Sequence, residues 1–102
     1  MAQFDVHESR AGHPDVPYLL DIQSDLIARL NVRVVVPLVP AEAYGKPIRD
    51  LTPVFEVAGR PHVMATLDIG GALTAELGPV VGSLARERDA VIRAIDILLL
   101  GV

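Results

Sequence analysis

Residues 54–67 read VFEVAGRPHVMATL and give the clearest indication of the structural class. Val54–Val57 and His62–Leu67 contain the β-branched and aromatic residues that are typical of strands. Ala58–Arg60 lies between them and contains a glycine, as short hairpin turns usually do. The pattern predicts a β-hairpin, and Gly70–Gly71 is expected to end its second strand.

Short strand-like segments continue on both sides of this hairpin. We predict strands at Gln3–His7, Tyr18–Gln23, Arg33–Leu38 and Leu73–Leu77, with Gly78–Pro79 breaking the last one. Pro37 has no backbone N–H, which indicates an edge strand or a bulge. Glu8–Pro17 is expected to form a loop, and Val39–Lys46 either a short helix or an irregular loop.

The C-terminal residues have helical periodicity, with Ser83 as the expected N-cap. At about 100° per residue, one stripe is apolar: Leu84, Val91, Ile92, Ile95, Leu98 and Leu99. The opposite face is charged: Arg86, Asp89, Arg93 and Asp96. Leu100 continues this charged row, so the helix tip is apolar on the side expected to face water. A frayed terminus, a dimer contact and a partner-binding patch each explain this.

Five or six short strands followed by one helix predict a mainly β fold, either a small barrel or a strongly curved sheet. With 102 residues, the chain is expected to form a single domain over 1–102. Its apolar fraction of 51% is high for so small a core, which favours a homodimer. The alternative is a monomer with scattered apolar residues on its surface.

Composition limits the classes of function. A net charge of −4 gives no basic stripe and disfavours direct nucleic-acid binding, although a local basic pocket is compatible with it. The absence of cysteine leaves neither disulfides nor thiolate metal sites. The N-terminus has no basic and apolar leader, and the apolar run Ile97–Leu100 is too short for a bilayer. We therefore expect a cytoplasmic protein with no membrane association.

The residues that often carry chemistry form no recognisable site. His7, His13 and His62 lack ligand spacing, so surface or loop positions are expected for them and no metal site is predicted. Asp21 and Asp25 are separated by a turn; turn capping in solvent is the commoner role for such a pair, although paired carboxylates also serve acid–base chemistry. No cofactor is expected, and the chain is not predicted to be an enzyme.

Five blocks, taken in order, resemble the CcdB family. They are Asp21–Ile27 (DIQSDLI), Val34–Leu38 (VVVPL), Leu51–Val54 (LTPV), Met64–Asp68 (MATLD), and the helix with its closing Leu100-Gly101-Val102. Each block alone is weak evidence, whereas their shared order and spacing cover essentially the whole chain.

The resemblance implies an SH3-like barrel with a small additional sheet and a C-terminal helix, assembled as a twofold homodimer. Toxins of this family bind the A subunit of DNA gyrase and trap it on cleaved DNA, without catalysis of their own. A partly disordered antitoxin of the CcdA type neutralises them. The alternative is a relative that binds antitoxin without poisoning gyrase and acts on another topoisomerase or in transcription autoregulation. An endoribonuclease that shares the barrel is a further, less favoured one.

The resemblance also assigns residues to both contacts. The gyrase contact is implied for Leu26, Ile27, Asp96, Leu99, Leu100, Gly101 and Val102. The antitoxin contact is implied for the loop Glu8–Val16 and the segment Pro40–Asp50, and within them for Glu8, Ser9, Arg10, Tyr44, Lys46 and Arg49.

The helix tip departs from the family pattern. The best-known members end in an aromatic residue followed by Trp-Gly-Ile, and the tryptophan stacks on an arginine of gyrase. Here the corresponding residues are Leu99-Leu100-Gly101-Val102, and Asp96 replaces a familiar asparagine. Leucine keeps apolar area but loses a cation–π contribution of about 0.5–2 kcal/mol.

Overall fold

Strands make up most of the computed structural model, which describes residues 1–27 and 29–101. The strands in this part of the chain are β1 Asp5–Ser9, β2 Tyr18–Asp21, β3 Val32–Pro40, β4 Val54–Val57, β5 Arg60–Met64, β6 Gly70–Leu73 and β7 Leu77–Ser83. The helices are α1 Ala41–Tyr44 and α2 Arg88–Leu100. Short 3₁₀ turns cover Asp25–Ile27, Thr66–Asp68, Thr74–Glu76 and Ala85–Glu87.

The strands form one antiparallel sheet in the order β4-β5-β3-β2-β1-β7, and β6 pairs with the first half of β3. The sheet curls into a half-barrel, and α2 follows it. The two ends of the sheet flank a cleft of about 280 Å³. It is lined by residues of β4, by the end of β7 and by the segment that follows β7. The predicted mainly β fold with one C-terminal helix is confirmed, and it is consistent with an SH3-like barrel. The expected smaller sheet is continuous with the main one.

β3 is the central strand, so Pro37 does not mark an edge, and the β2–β3 register runs through it without a shift, so it does not mark a bulge in that pairing either. Pro37 pairs with Leu19 of β2, and the amide of Ile22 donates to the carbonyl of Val34 at 3.0 Å. Because bonding positions alternate along antiparallel strands, the nitrogen of Pro37 faces away from β2. On that side the partner changes from β6 to β5, and the Pro37 carbonyl accepts the Ala65 amide at 2.9 Å. The missing N–H therefore lies at the end of the β3–β5 ladder, where the Ala65 carbonyl accepts the Asp68 amide at 2.9 Å instead.

The larger core lies between the curled sheet and α2. Its buried members are Phe4, Val6, Leu20, Val36, Leu38, Phe55, Val57, Met64, Leu84, Val91 and Ala94. A smaller cluster covers the other face of the central strands: Leu19, Val35, Ala72 and Leu77. Because neighbouring residues of a strand point to opposite faces, β2 and β3 contribute to both clusters.

Several predicted boundaries differ from the structure. The first strand lies at Asp5–Ser9, so Glu8 and Ser9 belong to a strand rather than to a loop. The hairpin is confirmed, but its turn has two residues, Ala58–Gly59, with both φ angles positive, as a type I′ turn requires. Its second strand is Arg60–Met64 rather than His62–Leu67, because a 3₁₀ turn begins at Thr66. The short-helix alternative for the segment after β3 is confirmed as α1.

The chain between the hairpin and α2 was predicted least well. Gly70–Gly71 begins β6 instead of ending β5, and Leu73–Leu77 contains a 3₁₀ turn rather than a strand. Gly78–Pro79 lies inside β7, so it does not break a strand. Ser83 ends β7 and caps the following turn by accepting the Ala85 amide at 3.1 Å, whereas α2 begins at Arg88.

Gly78 is required where β7 crosses β1. A Cβ at this position would lie 2.8 Å from the Glu8 carbonyl oxygen, and the Gly78 carbonyl accepts a hydrogen bond from His7 Nδ1–H at 2.9 Å. We expect Gly78→Ala to lower the free energy of unfolding by about 1–3 kcal/mol in urea titration. Gly82→Ala is the matched control, because a Cβ there meets nothing within 4 Å. Equal stability of the two variants would contradict the close approach.

Candidate functional site

The turn Asp25–Ile27 places two apolar side chains on the surface. Leu26 is 95% exposed and Ile27 is 50% exposed, although both are large hydrophobic residues. The turn follows β2 directly and precedes β3, the two strands at the centre of the sheet. A rigid sheet therefore presents an apolar turn to solvent.

A buried ion pair lies beside the base of this turn. Arg33 of β3 and Asp21 of β2 contact each other at 2.7 Å between Nη2 and Oδ2, and both side chains are almost fully buried. Arg33 Nε donates to the same carboxylate at 2.8 Å, and Asp21 Oδ1 accepts the Gln23 amide at 3.0 Å. Asp21 was expected to face solvent, and that expectation was wrong because Arg33 compensates its charge inside the protein.

The end of α2 forms the second exposed apolar feature. Leu99 and Leu100 are 73% and 71% exposed, and Asp96 is exposed on the preceding turn. Gly101 has a left-handed conformation, and its amide donates to the Ile97 carbonyl at 3.0 Å, which is a standard helix ending. The helix thus continues to Leu100 and ends in this cap. Val102, also assigned to the gyrase contact, lies outside the described residues.

Leu99 corrects the helical-wheel prediction. It was placed on the core-facing stripe, yet it is exposed. Val91 and Ala94 reach the main core, with Ile92 and Ile95 partly buried against it. In the last turn, Ile97 and Leu98 are half-buried, and only Leu99 and Leu100 face solvent.

The two apolar features are not connected by polar contacts. Among the described residues, no hydrogen bond or ion pair joins the turn Asp25–Ile27 to the end of α2. α2 packs on the turn Thr66–Asp68 and on the turn Ala85–Glu87, which directly precedes the helix. Each feature offers its own apolar surface to a partner.

The residues assigned to the antitoxin contact lie in two segments. Glu8 and Arg10 are exposed at the end of β1, and Ser9 is half-buried between them. Tyr44 is half-buried at the end of α1, whereas Lys46 and Arg49 are exposed in the loop that follows. The segments are far apart in sequence.

A cleft of about 280 Å³ is lined by Pro14 and Pro40 from the two wider ranges, but by none of the six residues assigned to the antitoxin contact. Its lining is rich in proline and ring side chains: Pro14, Pro17, Tyr18, Pro40, Val57, Ala58, Arg60 and His62. Tyr18 and His62 meet edge to face, with ring centroids 5.3 Å apart. Sequence reasoning missed this cleft, because only the pairing of β3 with β2 and β5 brings its walls together.

The histidines also required correction. His7 and His62 are buried rather than on the surface, whereas His13 is exposed. His7 bonds the Gly78 carbonyl, and His62 Nδ1 lies 3.0 Å from the Arg60 carbonyl. Over residues 1–27 and 29–101, histidine, aspartate and glutamate nowhere gather into a group of three that could hold a metal ion.

Neither helix in the described part of the chain has the length and apolar character needed to cross a membrane. A sequence model of the family described as CcdB protein matches residues 3–101. The search of curated proteins gave no match.

Proposed function

The chain belongs to the CcdB family, and we propose that it is the toxin of a type II toxin–antitoxin pair that binds the A subunit of DNA gyrase. It holds gyrase on cleaved DNA by protein–protein contact and performs no catalysis itself. It acts in the cytoplasm, where gyrase acts on DNA.

The observation that carries this proposal is the exposure of apolar residues at two sites assigned to gyrase. Large apolar side chains that remain in water are characteristic of binding surfaces. Leu26 and Ile27 stand on a turn, and Leu99 and Leu100 stand on a capped helix end. Both supports are regular structure, so the backbone that carries these side chains has a defined conformation before a partner binds, which limits the entropy lost on association.

A DNA-cleavage trapping assay tests the proposal. Purified protein is added to gyrase of the host organism with ATP and supercoiled plasmid, and linear DNA with covalently attached gyrase is measured. Accumulation of this DNA is the expected result. A folded protein that traps no DNA at high concentration contradicts gyrase poisoning and favours the relative that only binds antitoxin. Cleavage of RNA in a parallel reaction would instead support the endoribonuclease.

We place the antitoxin on the proline-lined cleft and its two flanking segments. The cleft is mostly apolar, and Arg60, which pairs with Glu42 at 2.9 Å, is part of its lining. Lys46 and Arg49 are exposed in the loop that follows α1. An extended antitoxin segment with an apolar side chain and adjacent carboxylates fits this chemistry. Release of gyrase from trapped DNA on addition of the antitoxin is the expected functional result.

We propose that the homodimer forms through an exposed face of the sheet, where β6 pairs with the first half of β3. Val32 pairs with Leu73 and Val34 pairs with Gly71, and the three large side chains are exposed on one face. Further along β3, Val36 and Leu38 lie on the same face and are buried in the core. The apolar surface of this face therefore extends past the core into solvent. A second copy would cover it.

Leu73→Asp is expected to convert the dimer to a monomer in analytical ultracentrifugation at micromolar concentration. A carboxylate in the middle of an apolar interface is desolvated without a partner, which lowers dimer affinity roughly 30-fold or more. Val80→Asp is the control, because Val80 is similarly exposed but lies on β7, at the other end of the sheet. A Leu73→Asp variant that remains dimeric would exclude this face.

A further inference from the structure

Side chains that precede and begin the turn Asp25–Ile27 tie it to the rest of the protein. Leu26 makes almost no packing contact, because its side chain is 95% exposed. The conformation of the turn must therefore come from its hydrogen bonds.

Gln23 supplies the inner connection. Its side chain is buried, with 4% exposure. The amide oxygen accepts the Val34 N–H at 3.0 Å, and the amide nitrogen donates to the Ile27 carbonyl at 2.9 Å. One side chain thus joins the backbone of β3 to the last residue of the turn. Both ends of the amide are used, so rotation of the side chain would break both bonds.

Asp25 supplies the outer connection. Its Oδ1 accepts the Gln3 amide at 2.9 Å, which fixes the turn to the segment before β1. Local bonds complete the turn: Ser24 Oγ accepts the Leu26 amide and the Ser24 carbonyl accepts the Ile27 amide, both at 3.2 Å. The turn is therefore held by β3 on one side and by the N-terminal segment on the other.

We propose that Gln23 and Asp25 are positioning residues, which hold Leu26 and Ile27 in the orientation that gyrase recognises. This inference rests on the proposed function. Without the two tethers, the turn would sample other conformations in the free protein. Binding would then have to order two apolar side chains and their backbone, which lowers affinity without removing any contact to the partner.

Gln23→Met tests the inner tether. Methionine has nearly the same length but no amide, so both hydrogen bonds are lost while the volume is kept. We expect faster hydrogen exchange at the Leu26 and Ile27 amides and roughly a tenfold or greater weakening of binding to the purified gyrase A subunit.

Thr52→Val is the matched control for stability. The Thr52 hydroxyl is buried and also makes two bonds, accepting the Ile48 amide at 2.7 Å and donating to the Ile48 carbonyl at 3.2 Å. It lies in a different loop, so its loss is expected to lower the melting temperature without changing gyrase affinity or exchange in the turn. If both variants weaken gyrase binding equally, the effect is general destabilisation and the positioning role is wrong.

Asp25 provides a second test that does not depend on a buried residue. Asp25→Ala removes the acceptor for the Gln3 amide, whereas Asp25→Asn keeps an acceptor oxygen and removes only the charge. We expect the alanine variant to lose several-fold in gyrase affinity and the asparagine variant to retain it. Equal losses in the two variants would indicate a charge contact with gyrase and would contradict positioning.

Failure of this inference is distinguishable from failure of the proposed function. Wild-type protein that does not bind the gyrase A subunit would overturn both. Wild-type binding that persists unchanged in Gln23→Met and Asp25→Ala would overturn the positioning role alone. If Gln23→Met does not fold, the paired Asp25 variants still decide the question.

Discussion

Asp21→Ala is expected to lower the free energy of unfolding by about 3–5 kcal/mol. The substitution leaves the Arg33 guanidinium buried without its counter-charge, and a buried charge without a partner is strongly unfavourable. It also removes the acceptor for the backbone N–H of Gln23. Urea titration monitored by circular dichroism measures the change directly.

A double-mutant cycle separates the ion pair from its surroundings. Asp21→Leu with Arg33→Met removes both charges, so it is expected to lose less stability than the sum of the single variants. Recovery of stability will be incomplete, because both side chains also bond the backbone of Gln23. Arg33 Nη2 donates to its backbone carbonyl, and Asp21 accepts its backbone N–H. Those two backbone groups would remain buried without partners.

The exposed pair between Arg60 and Glu42 is the matched control. Its atoms are 2.9 Å apart, nearly as close as in the buried pair, but both side chains are mostly in solvent. Glu42→Ala is therefore expected to change stability by at most about 1 kcal/mol. If Asp21→Ala is no more destabilising than Glu42→Ala, the buried pair does not have the energetic role assigned to it.

The buried pair of Asp21 and Arg33 also shows why part of the site could not be predicted from the sequence. Asp21 and Asp25 are close neighbours on either side of a turn, and local reasoning treats them alike. Only the strand register places Arg33 beside Asp21, whereas Asp25 remains on the surface. Burial of a charge depends on a partner twelve residues away, and no local pattern reveals that partner.

The strands likewise divide into those that local sequence predicts and those that depend on distant contacts. The hairpin at 54–64 was predictable because turn residues with positive φ determine its geometry locally. β7 was missed because Gly78 and Pro79 normally interrupt strands. In the structure, Gly78 is needed for the close approach to Glu8, and β1 and β7 shift register along their pairing. Contacts between the two ends of the chain override local propensity here.

The helix tip was predicted in part. Leu100 lies in the charged row of the helix, so its exposure followed from periodicity. Leu99 belongs to the apolar stripe, and periodicity alone gives no information on where the sheet beneath the helix ends. In the structure, Ile97 and Leu98 are still half-buried whereas Leu99 is exposed, so burial of the helix ends within its last turn.

Leu100→Asp is expected to lower affinity for the gyrase A subunit roughly 30-fold or more and to abolish DNA trapping. Leu100 is exposed at a capped helix end, so the substitution should leave the fold intact. The carboxylate would be desolvated in an apolar contact and would stand four residues after Asp96, adding a second negative charge to the same helix face. Calorimetric titration with the purified A subunit measures the loss. Val54→Asp, at the exposed edge of the sheet, is the control.

Leu100→Trp is expected to act in the opposite direction. It restores the indole of the best-known family members and with it a cation–π contribution of about 0.5–2 kcal/mol, which corresponds to a roughly 2- to 30-fold gain in affinity. A gain in the tryptophan variant together with a loss in the aspartate variant would place Leu100 at the gyrase contact. Unchanged affinity in both would mean that the helix tip faces another partner. In that case, the exposed turn at Leu26 and Ile27 would remain the only gyrase contact for which the described structure offers an apolar surface.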